Sequence, residues 1–304
     1  MIRSKNQPSA GPLQGMRVMI PRAPDRAAAM VRGLEAEGAI PQLVPLIDFE
    51  FPSDTSDLDQ CLALLSEGRF AWLVITSTTT IRALKQRARS MGRQLALMIP
   101  AVTRVAAVGN TTRDALVAEG IAVHFVPAGE QSGRSLVKNW PLPEAVPAGS
   151  GISNRVLVPQ ADIASATVAA GITERGWQVL PVIAYRTVDY PAVDELKISE
   201  QLAETGGPGR SSSLPPALTV DAFRTALHAG NIDAVILTSP SVTRRVALIA
   251  GKLPERLLMI AIGEITAAEA ALVGVPVSAV ASEPSPAGIA AALISAGRLS
   301  TDSR

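Results

Sequence analysis

Small hydroxyl residues and glycines recur directly after the apolar runs that predict buried strands. Thr76 and Ser77 follow one such run, and Thr238 and Ser239 follow a second with the same pattern. If helices begin there, their free N–H groups and the positive end of the helix dipole would attract carboxylate or phosphate groups. In open parallel sheets, ligands collect at this edge, outside the carboxyl ends of the strands. The candidate binding residues are Arg22, Thr76, Ser77, Gly109, Asn110, Thr111, Thr112, Thr238, Ser239, Ser241, Gly263 and Thr266.

The same positions also have a purely structural interpretation. A Thr-Ser pair after a strand commonly caps the following helix, and Gly109 and Gly263 could be turn glycines that need a positive φ. Neither glycine belongs to a GxGxxG or GxxxxGK[ST] pattern, so nucleotide binding has no motif support. The motifs offer groups that bind rather than a nucleophile beside a base.

The composition excludes several classes of site. The formal net charge of +1 gives no broad basic field for nucleic acid or an anionic membrane. Cys61 is the single cysteine, which excludes an internal disulfide and a metal site built on cysteine pairs. His124 and His228 have no carboxylate at ligand spacing, so we expect no metal site. The sequence also carries no cofactor motif, so we expect no cofactor. The sequence shows no signal peptide and no bilayer-spanning apolar run, so we expect a cytoplasmic protein.

The chain carries the same pattern twice, which predicts two similar lobes. Residues 17–21 read RVMIP and lead to Gly38, while residues 155–159 read RVLVP and lead to Gly176 at the same offset. In each copy a short apolar run is followed by apolar residues at helical spacing, which stop at the glycine. Strands alternating with helices predict parallel sheets with helices on both faces. The expected fold is α/β, with two similar Rossmann-like or flavodoxin-like domains.

The sequence contains an ordered set of short motifs, which are Ile20-Pro21-Arg22, Ile75-Thr76-Ser77, Val108-Gly109-Asn110-Thr111-Thr112, Val182-Ile183-Ala184-Tyr185-Arg186-Thr187-Val188, Thr238-Ser239-Pro240-Ser241, Ile262-Gly263-Glu264-Ile265-Thr266-Ala267 and Pro284-Ser285-Pro286-Ala287-Gly288. Together these motifs resemble the uroporphyrinogen-III synthase family. No single motif is specific, but their order over roughly residues 16–296 is typical of that family. Gln160 departs from the pattern, since many relatives carry Arg or Gly there, and residues 78–80 lack the Pro-Ser of the second copy.

The resemblance implies two α/β domains joined by a two-stranded antiparallel connector. The chain would begin in one domain, cross over, build the other domain and return. Mapped onto this sequence, residues 46–51 and 184–189 are the connector strands. The remaining expected segments are a disordered N-terminal segment at 1–15, domain one at 16–45 plus 190–297, domain two at 52–183 and a frayed tail at 298–304.

The resemblance also implies an activity, that of a lyase in porphyrin and haem biosynthesis. The linear tetrapyrrole hydroxymethylbilane would close to uroporphyrinogen III, with loss of water and inversion of ring D. Because this substrate is intrinsically reactive, the enzyme must mainly position it, exclude water and stabilise changing charge. Helix-start amides and hydroxyls of both lobes would receive its carboxylates, helped by Arg22 and by Arg113 or Arg244.

Tyr185 is the one residue to which the resemblance gives a chemical role. It is similar to the family's tyrosine in the crossing strand and would hydrogen-bond to the departing hydroxyl group. Packing at the hinge is the alternative role for this side chain. We further expect a monomer, because the connector strands would already hold the two lobes together. Its partner would be a small-molecule substrate, without nucleic acid or membrane.

Three other functions stay open at this level, and the third of them is a regulatory or interaction module. A two-lobed cytoplasmic protein that binds an anionic metabolite without catalysis would use the same helix starts. A nucleotide-dependent enzyme on two Rossmann-like lobes would need glycine fingerprints that this sequence lacks. Turnover of hydroxymethylbilane separates the first alternative from the synthase, and a dinucleotide binding screen tests the second.

Overall fold

The structure is a computed structural model that describes residues 11–129, 131–143, 154–202 and 214–302. Strands and helices alternate along most of the chain. The first elements are β1 (Arg17–Ile20), α1 (Pro24–Ala36), β2 (Ile40–Leu43), β3 (Ile47–Glu50), α2 (Ser56–Ser66), β4 (Trp72–Ile75), α3 (Thr78–Ser90), a 3₁₀ turn (Leu95–Met98), β5 (Arg104–Ala107) and α4 (Asn110–Ala118). They are followed by α5 (Gly133–Lys138), β6 (Arg155–Ala161), α6 (Thr167–Glu174), β7 (Gln178–Asp189), α7 (Val220–His228), β8 (Ala234–Leu237), α8 (Pro240–Ala250), β9 (Leu258–Ala261), α9 (Glu264–Leu272), β10 (Ala279–Val280) and α10 (Pro286–Asp302).

The chain forms two compact units, each built on its own sheet. Unit 1 takes its described residues from the ranges 1–48, 189–191 and 211–304, and unit 2 from 49–188 and 192–210. Within the described ranges, the strand order is β10-β9-β8-β1-β2 in one sheet and β3-β7-β6-β4-β5 in the other. From β10 to β2 and from β7 to β5, neighbouring strands run parallel. The predicted α/β fold with two mostly parallel sheets is confirmed.

Each central strand is apolar throughout because both faces of its sheet are covered. In β8, Ala234 and Ile236 pack into one core of unit 1, while Val235 and Leu237 pack into a second. The strand β4 of unit 2 divides its side chains between two cores in the same way. Since successive side chains of a strand point to opposite faces, a strand buried on both sides needs an unbroken apolar run. The short runs of the sequence therefore become central strands.

The segment after β7 lies in unit 2, which differs from the division that the resemblance implied. Residues 192–202 were assigned to domain one, but they pack beside α3. The carboxamide of Gln86 accepts the N–H groups of Ser199 and Glu200, and the Lys85 ammonium pairs with the Glu200 carboxylate. These contacts come from polar side chains far away in the sequence, which an apolar pattern does not reveal.

Both predicted chain ends are more ordered than expected where the structure describes them. Residues 11–15, part of the segment predicted to be disordered, form a turn in which Leu13 is buried and its N–H donates to the Glu37 carbonyl. The tail predicted to fray at residue 298 continues as α10 to Asp302. The rest of these two predictions, at residues 1–10 and 303–304, lies outside the described residues.

No helix in the described ranges combines the length and apolar composition that a bilayer crossing requires. Over the same residues, the structure shows no group of three or more His, Cys, Asp or Glu side chains that could hold a metal ion.

Candidate functional site

In unit 2 the start of α3 is held by a hydroxyl group. Thr76 and Ser77 follow β4, and the extended backbone of Ser77 makes it the N-cap of the helix. Its Oγ accepts the Thr80 N–H at 3.2 Å and lies 3.0 Å from the Thr80 hydroxyl. Ser77 therefore satisfies one of the free N–H groups with which every helix begins. The cap interpretation of Thr-Ser holds here, and it does not exclude a second role for the hydroxyl.

The second role is a hydrogen bond to Tyr185. The Tyr185 Oη lies 3.2 Å from the Ser77 Oγ, and the Tyr185 ring meets Phe49 edge-on at 5.4 Å between centroids. Only 7% of Tyr185 is exposed. Its hydroxyl therefore lies among small hydroxyl side chains at the carboxyl end of β4, the edge at which the sequence placed the binding residues.

The Tyr185 phenol is protonated at neutral pH, and burial stabilises this form further. Desolvation raises the pKa of Tyr185 above its usual value of 10.0, and the nearby charge of Asp162 adds to the rise. Hydrogen bonds with the hydroxyls of Ser77, Thr79 and Thr80 act in the opposite direction without cancelling it. At neutral pH this group can therefore donate a hydrogen bond, and it cannot serve as a strong base.

The start of α4 is arranged differently. Gly109 is its N-cap and has no side chain to offer, so the Asn110 N–H donates to the Gln131 Oε1 at 2.8 Å. Thr112 is buried in the first turn, whereas Thr111 is exposed. The amide oxygen of Gln131 thus occupies the position at which an anion would meet this helix.

Gly109 is the N-cap of α4, and Gly263 is the N-cap of α9. The prediction that these two glycines need a positive φ was wrong. Gly109 has φ −156° and Gly263 has φ 175°, so each is extended and neither needs a positive φ. A Cβ on Gly109 would lie 2.5 Å from the Gln131 Oε1, while a Cβ on Gly263 would meet nothing within 4 Å. A side chain at position 109 would therefore have to displace Gln131, whereas the space beside Gly263 is open.

Unit 1 repeats the cap at the start of α8. The Ser239 Oγ accepts the Val242 N–H at 3.3 Å, and the Thr243 hydroxyl donates to the Ser239 carbonyl. Thr238 and Ser241 flank the cap and are half-buried.

The other predicted residues of unit 1 follow the neighbouring strands. Thr266 is buried in the first turn of α9, next to the N-cap Gly263. Arg22 follows β1, where its N–H donates to the Ile20 carbonyl and its guanidinium lies 3.4 Å from the Arg26 carbonyl. Since β9, β8 and β1 are parallel neighbours, Gly263, Ser239 and Arg22 share one edge of the sheet.

Two arginines proposed as helpers are already engaged. The Arg244 guanidinium makes a bidentate pair with the Glu269 carboxylate, at 2.6 and 3.1 Å. Arg113 pairs with the neighbouring Asp114. Either arginine would have to exchange its present partner to receive a substrate carboxylate.

Several contacts of the site were missed by the sequence analysis. The candidate binding residues do not include Phe49, Gln131 or Asp162. Thr79 and Thr80 enter the sequence analysis only because residues 78–80 lack the Pro-Ser of the second copy. The run of three threonines after Ser77 was the one local signal available. Phe49 and Gln131 reach the site from distant segments, so no local spacing could have selected them.

Comparison with known proteins gives a family. The family model described as uroporphyrinogen-III synthase HemD matches residues 28–291. A mutant uroporphyrinogen III synthase from Thermus thermophilus has 18% identity and a TM-score of 0.60, covering 94% of this chain and 100% of that one. Uroporphyrinogen-III synthetase from Helicobacter pylori has 14% identity and a TM-score of 0.48, covering 95% and 100%. The comparison with curated proteins finds no match.

Proposed function

The chain belongs to the uroporphyrinogen-III synthase family, and from that membership we propose that it closes hydroxymethylbilane to uroporphyrinogen III. The net reaction eliminates water and inverts ring D, so the activity is that of a carbon–oxygen lyase in tetrapyrrole biosynthesis. The substrate is reactive enough to close in water without inversion. The protein must therefore favour one path over another, which requires positioning more than strong acid or base.

The proposed reaction breaks the C–O bond of the terminal hydroxymethyl group. The departing hydroxyl takes up a proton and leaves as water, and an azafulvene cation remains. The substituted carbon of ring D attacks this cation and forms a spiro intermediate. The intermediate fragments and recloses at the free carbon of ring D, which then loses its proton. Proton uptake and release balance over the cycle.

Tyr185 is the residue to which we assign contact with the departing hydroxyl. The observation that carries this assignment is the buried hydrogen bond between Tyr185 and Ser77 at the carboxyl end of β4. A phenol that stays protonated can stabilise the oxygen as its bond to carbon breaks. Ser77 accepts or donates in return, so the phenol is oriented before the substrate arrives.

The substrate carboxylates are the groups that the helix starts would receive. In unit 1 the open backbone at Gly263 and the cap at Ser239 follow neighbouring strands. In unit 2 the start of α4 already binds an amide oxygen, that of Gln131. We propose that carboxylates of hydroxymethylbilane bind at these edges and that Arg22 contributes its charge.

A coupled isomer assay tests the proposal. Hydroxymethylbilane is generated in situ, the protein is added, the products are oxidised, and porphyrin isomers I and III are separated. A dominant III isomer, against isomer I in the protein-free control, supports the synthase. Isomer I alone at the uncatalysed rate would leave the two-lobed binding protein as the better account.

We further propose that the active form is a monomer. Analytical ultracentrifugation at assay concentrations would test this, and a single species of about twice the 31.7 kDa chain mass would overturn it.

A further inference from the structure

The strand β7 changes its alternation where it reaches Tyr185. Its register with β6 shifts, so that Gln160 faces Ile183 while the next residue, Ala161, faces Tyr185. One extra residue, Ala184, is thereby inserted into β7 as a β-bulge. Bulges turn the following side chains to the other face, and as a result Ala184 and Tyr185 are both buried. Without the bulge, strict alternation would point Tyr185 away from the core that holds Ala184.

Asp162 holds the chain on the far side of this bulge. Its N–H donates to the Tyr185 carbonyl at 2.9 Å, and its Oδ1 accepts the Thr187 N–H at 3.0 Å. In a regular parallel ladder a main-chain carbonyl would accept that N–H. The same Oδ1 also accepts the Ile163 N–H at 3.0 Å. The Asp162 carboxylate therefore continues the ladder where β6 itself ends.

These contacts fix the backbone on both sides of Tyr185. The bulge determines which face the side chain takes, and the bonds to Asp162 determine how far the strand can shift after it. The partner of the phenol is fixed independently, because Ser77 is held by its cap bond to Thr80. The 3.2 Å separation of the two hydroxyls thus depends on both anchors.

We propose that Asp162 is a positioning residue for Tyr185, whose carboxylate fixes the strand after the bulge and so holds the phenol hydroxyl at Ser77. Its effect on turnover rests on the function proposed above, whereas its effect on the phenol does not. Asp162 acts through the backbone and is not itself assigned a contact with the substrate.

The two tyrosines of the chain make the phenol measurable. In a Tyr190→Phe background, Tyr185 is the only tyrosine, and its phenolate absorbance reports its titration alone. Asp162→Asn keeps an oxygen acceptor and removes the charge, whereas Asp162→Ala removes both. Comparing the two variants therefore shows the effect of the oxygen that accepts the Thr187 N–H, separately from the effect of the charge. Glu174→Ala, an exposed carboxylate of unit 2, serves as the control.

The expected results separate the two variants. Asp162→Ala should lower kcat by about 10- to 100-fold with little change in KM, because small misplacements of a catalytic group are costly. Asp162→Asn should stay within about threefold of the parent, as expected when hydrogen-bond geometry is kept. Both variants should lower the pKa of Tyr185 through loss of the Asp162 charge. Asp162→Ala should lower it less than Asp162→Asn, because a displaced phenol also loses the Ser77 hydrogen bond that lowers its pKa. Glu174→Ala should change neither quantity.

The readouts distinguish failure of this proposal from failure of the proposed function. If the parent protein forms only isomer I, the function fails, and the titration of the three variants still decides the positioning role. The positioning role alone is overturned if the parent forms isomer III while Asp162→Ala and Asp162→Asn have the same kcat and the same pKa of Tyr185. Urea unfolding of each variant confirms that the folded protein is being measured.

Discussion

The hydroxyl groups of Tyr185 and Ser77 lie 3.2 Å apart, although 108 residues separate them in the chain. Ser77 comes from the start of α3 and Tyr185 from the bulged part of β7. Each would be an ordinary structural residue without the other, one a helix cap and the other a packed aromatic side chain. Their contact places a protonated phenol at the edge of the sheet where ligands are expected.

Tyr185→Phe tests the phenol directly. We expect kcat for isomer III to fall by about 100-fold, the scale of a positioned proton donor, while the ring keeps its packing against Phe49. The free energy of unfolding should change by about 1 kcal/mol or less, as for one ordinary hydrogen bond. Tyr190→Phe is the matched control, since it removes the other phenol of the chain. Equal rates in the two variants would assign Tyr185 to packing alone.

Ser77→Ala and Ser239→Ala compare two caps that occupy the same place in the repeat. Both should lower the free energy of unfolding by about 1 kcal/mol, because each removes an N-cap oxygen. Only Ser77→Ala should raise the pKa of Tyr185 further, since the Ser77 hydroxyl lowers it in the native protein. Phenolate absorbance in the Tyr190→Phe background measures this shift. An equal shift in both variants would contradict the assigned contact.

Gly109→Ala and Gly263→Ala compare two extended glycines. In the first, the new methyl group must displace Gln131, and the Asn110 N–H loses its acceptor. We expect a loss of about 1 kcal/mol in the free energy of unfolding. Gly263→Ala should be neutral or slightly stabilising, because the site is open and the unfolded chain becomes less flexible.

Gln131→Ala completes the glycine test. If Gly109→Ala acts through Gln131, the double variant that carries both substitutions should be no less stable than the less stable of the two single variants. Additive losses in urea unfolding would show that the two residues act separately.

The fold could be predicted from the sequence because its signals are local. The apolar runs of β4 and β8 and the caps Ser77 and Ser239 are each contained within a few residues. Covering both faces of a sheet makes a strand apolar throughout, and a hydroxyl after such a strand satisfies the next helix. The duplication then repeats these signals, which is why both sheets were anticipated.

The contacts of the site could not be predicted because they depend on register and on distant segments. The bulge at Ala184 interrupts the alternation of residues 182–186. Strict alternation would predict that Tyr185 points to the opposite face of the sheet from Ala184. The repeat is misleading here too. Arg17 and Arg155 hold the same place in the two copies, but Arg17 pairs with Asp233 while Arg155 lies over the Phe70 ring at 4.9 Å. Duplicated residues thus kept their backbone position and took different partners.

Asp233→Asn tests the Arg17 pair through its dependence on pH. The Arg17 guanidinium meets both carboxylate oxygens of Asp233 at 3.0 Å, and the Arg17 N–H adds a third bond. Hydrogen bonds from the Arg17 side chain, helped by its main chain and its charge, hold the pKa of Asp233 below its usual 3.8. A lowered carboxyl pKa stabilises the folded state above pH 3.8, and this stabilisation is lost as the pH falls through the folded-state value.

The wild-type protein should therefore exceed Asp233→Asn in stability at neutral pH, and the difference should shrink below about pH 4. The pair is partly exposed, so solvent and salt should reduce the difference. Asp221→Asn is the control, because its carboxylate is 88% exposed in a surface pair and should change stability little. Urea unfolding of the three proteins between about pH 3 and pH 7 makes the comparison. A difference that stays constant over that range would show that the ion pair is not what stabilises the junction of β1 and β8.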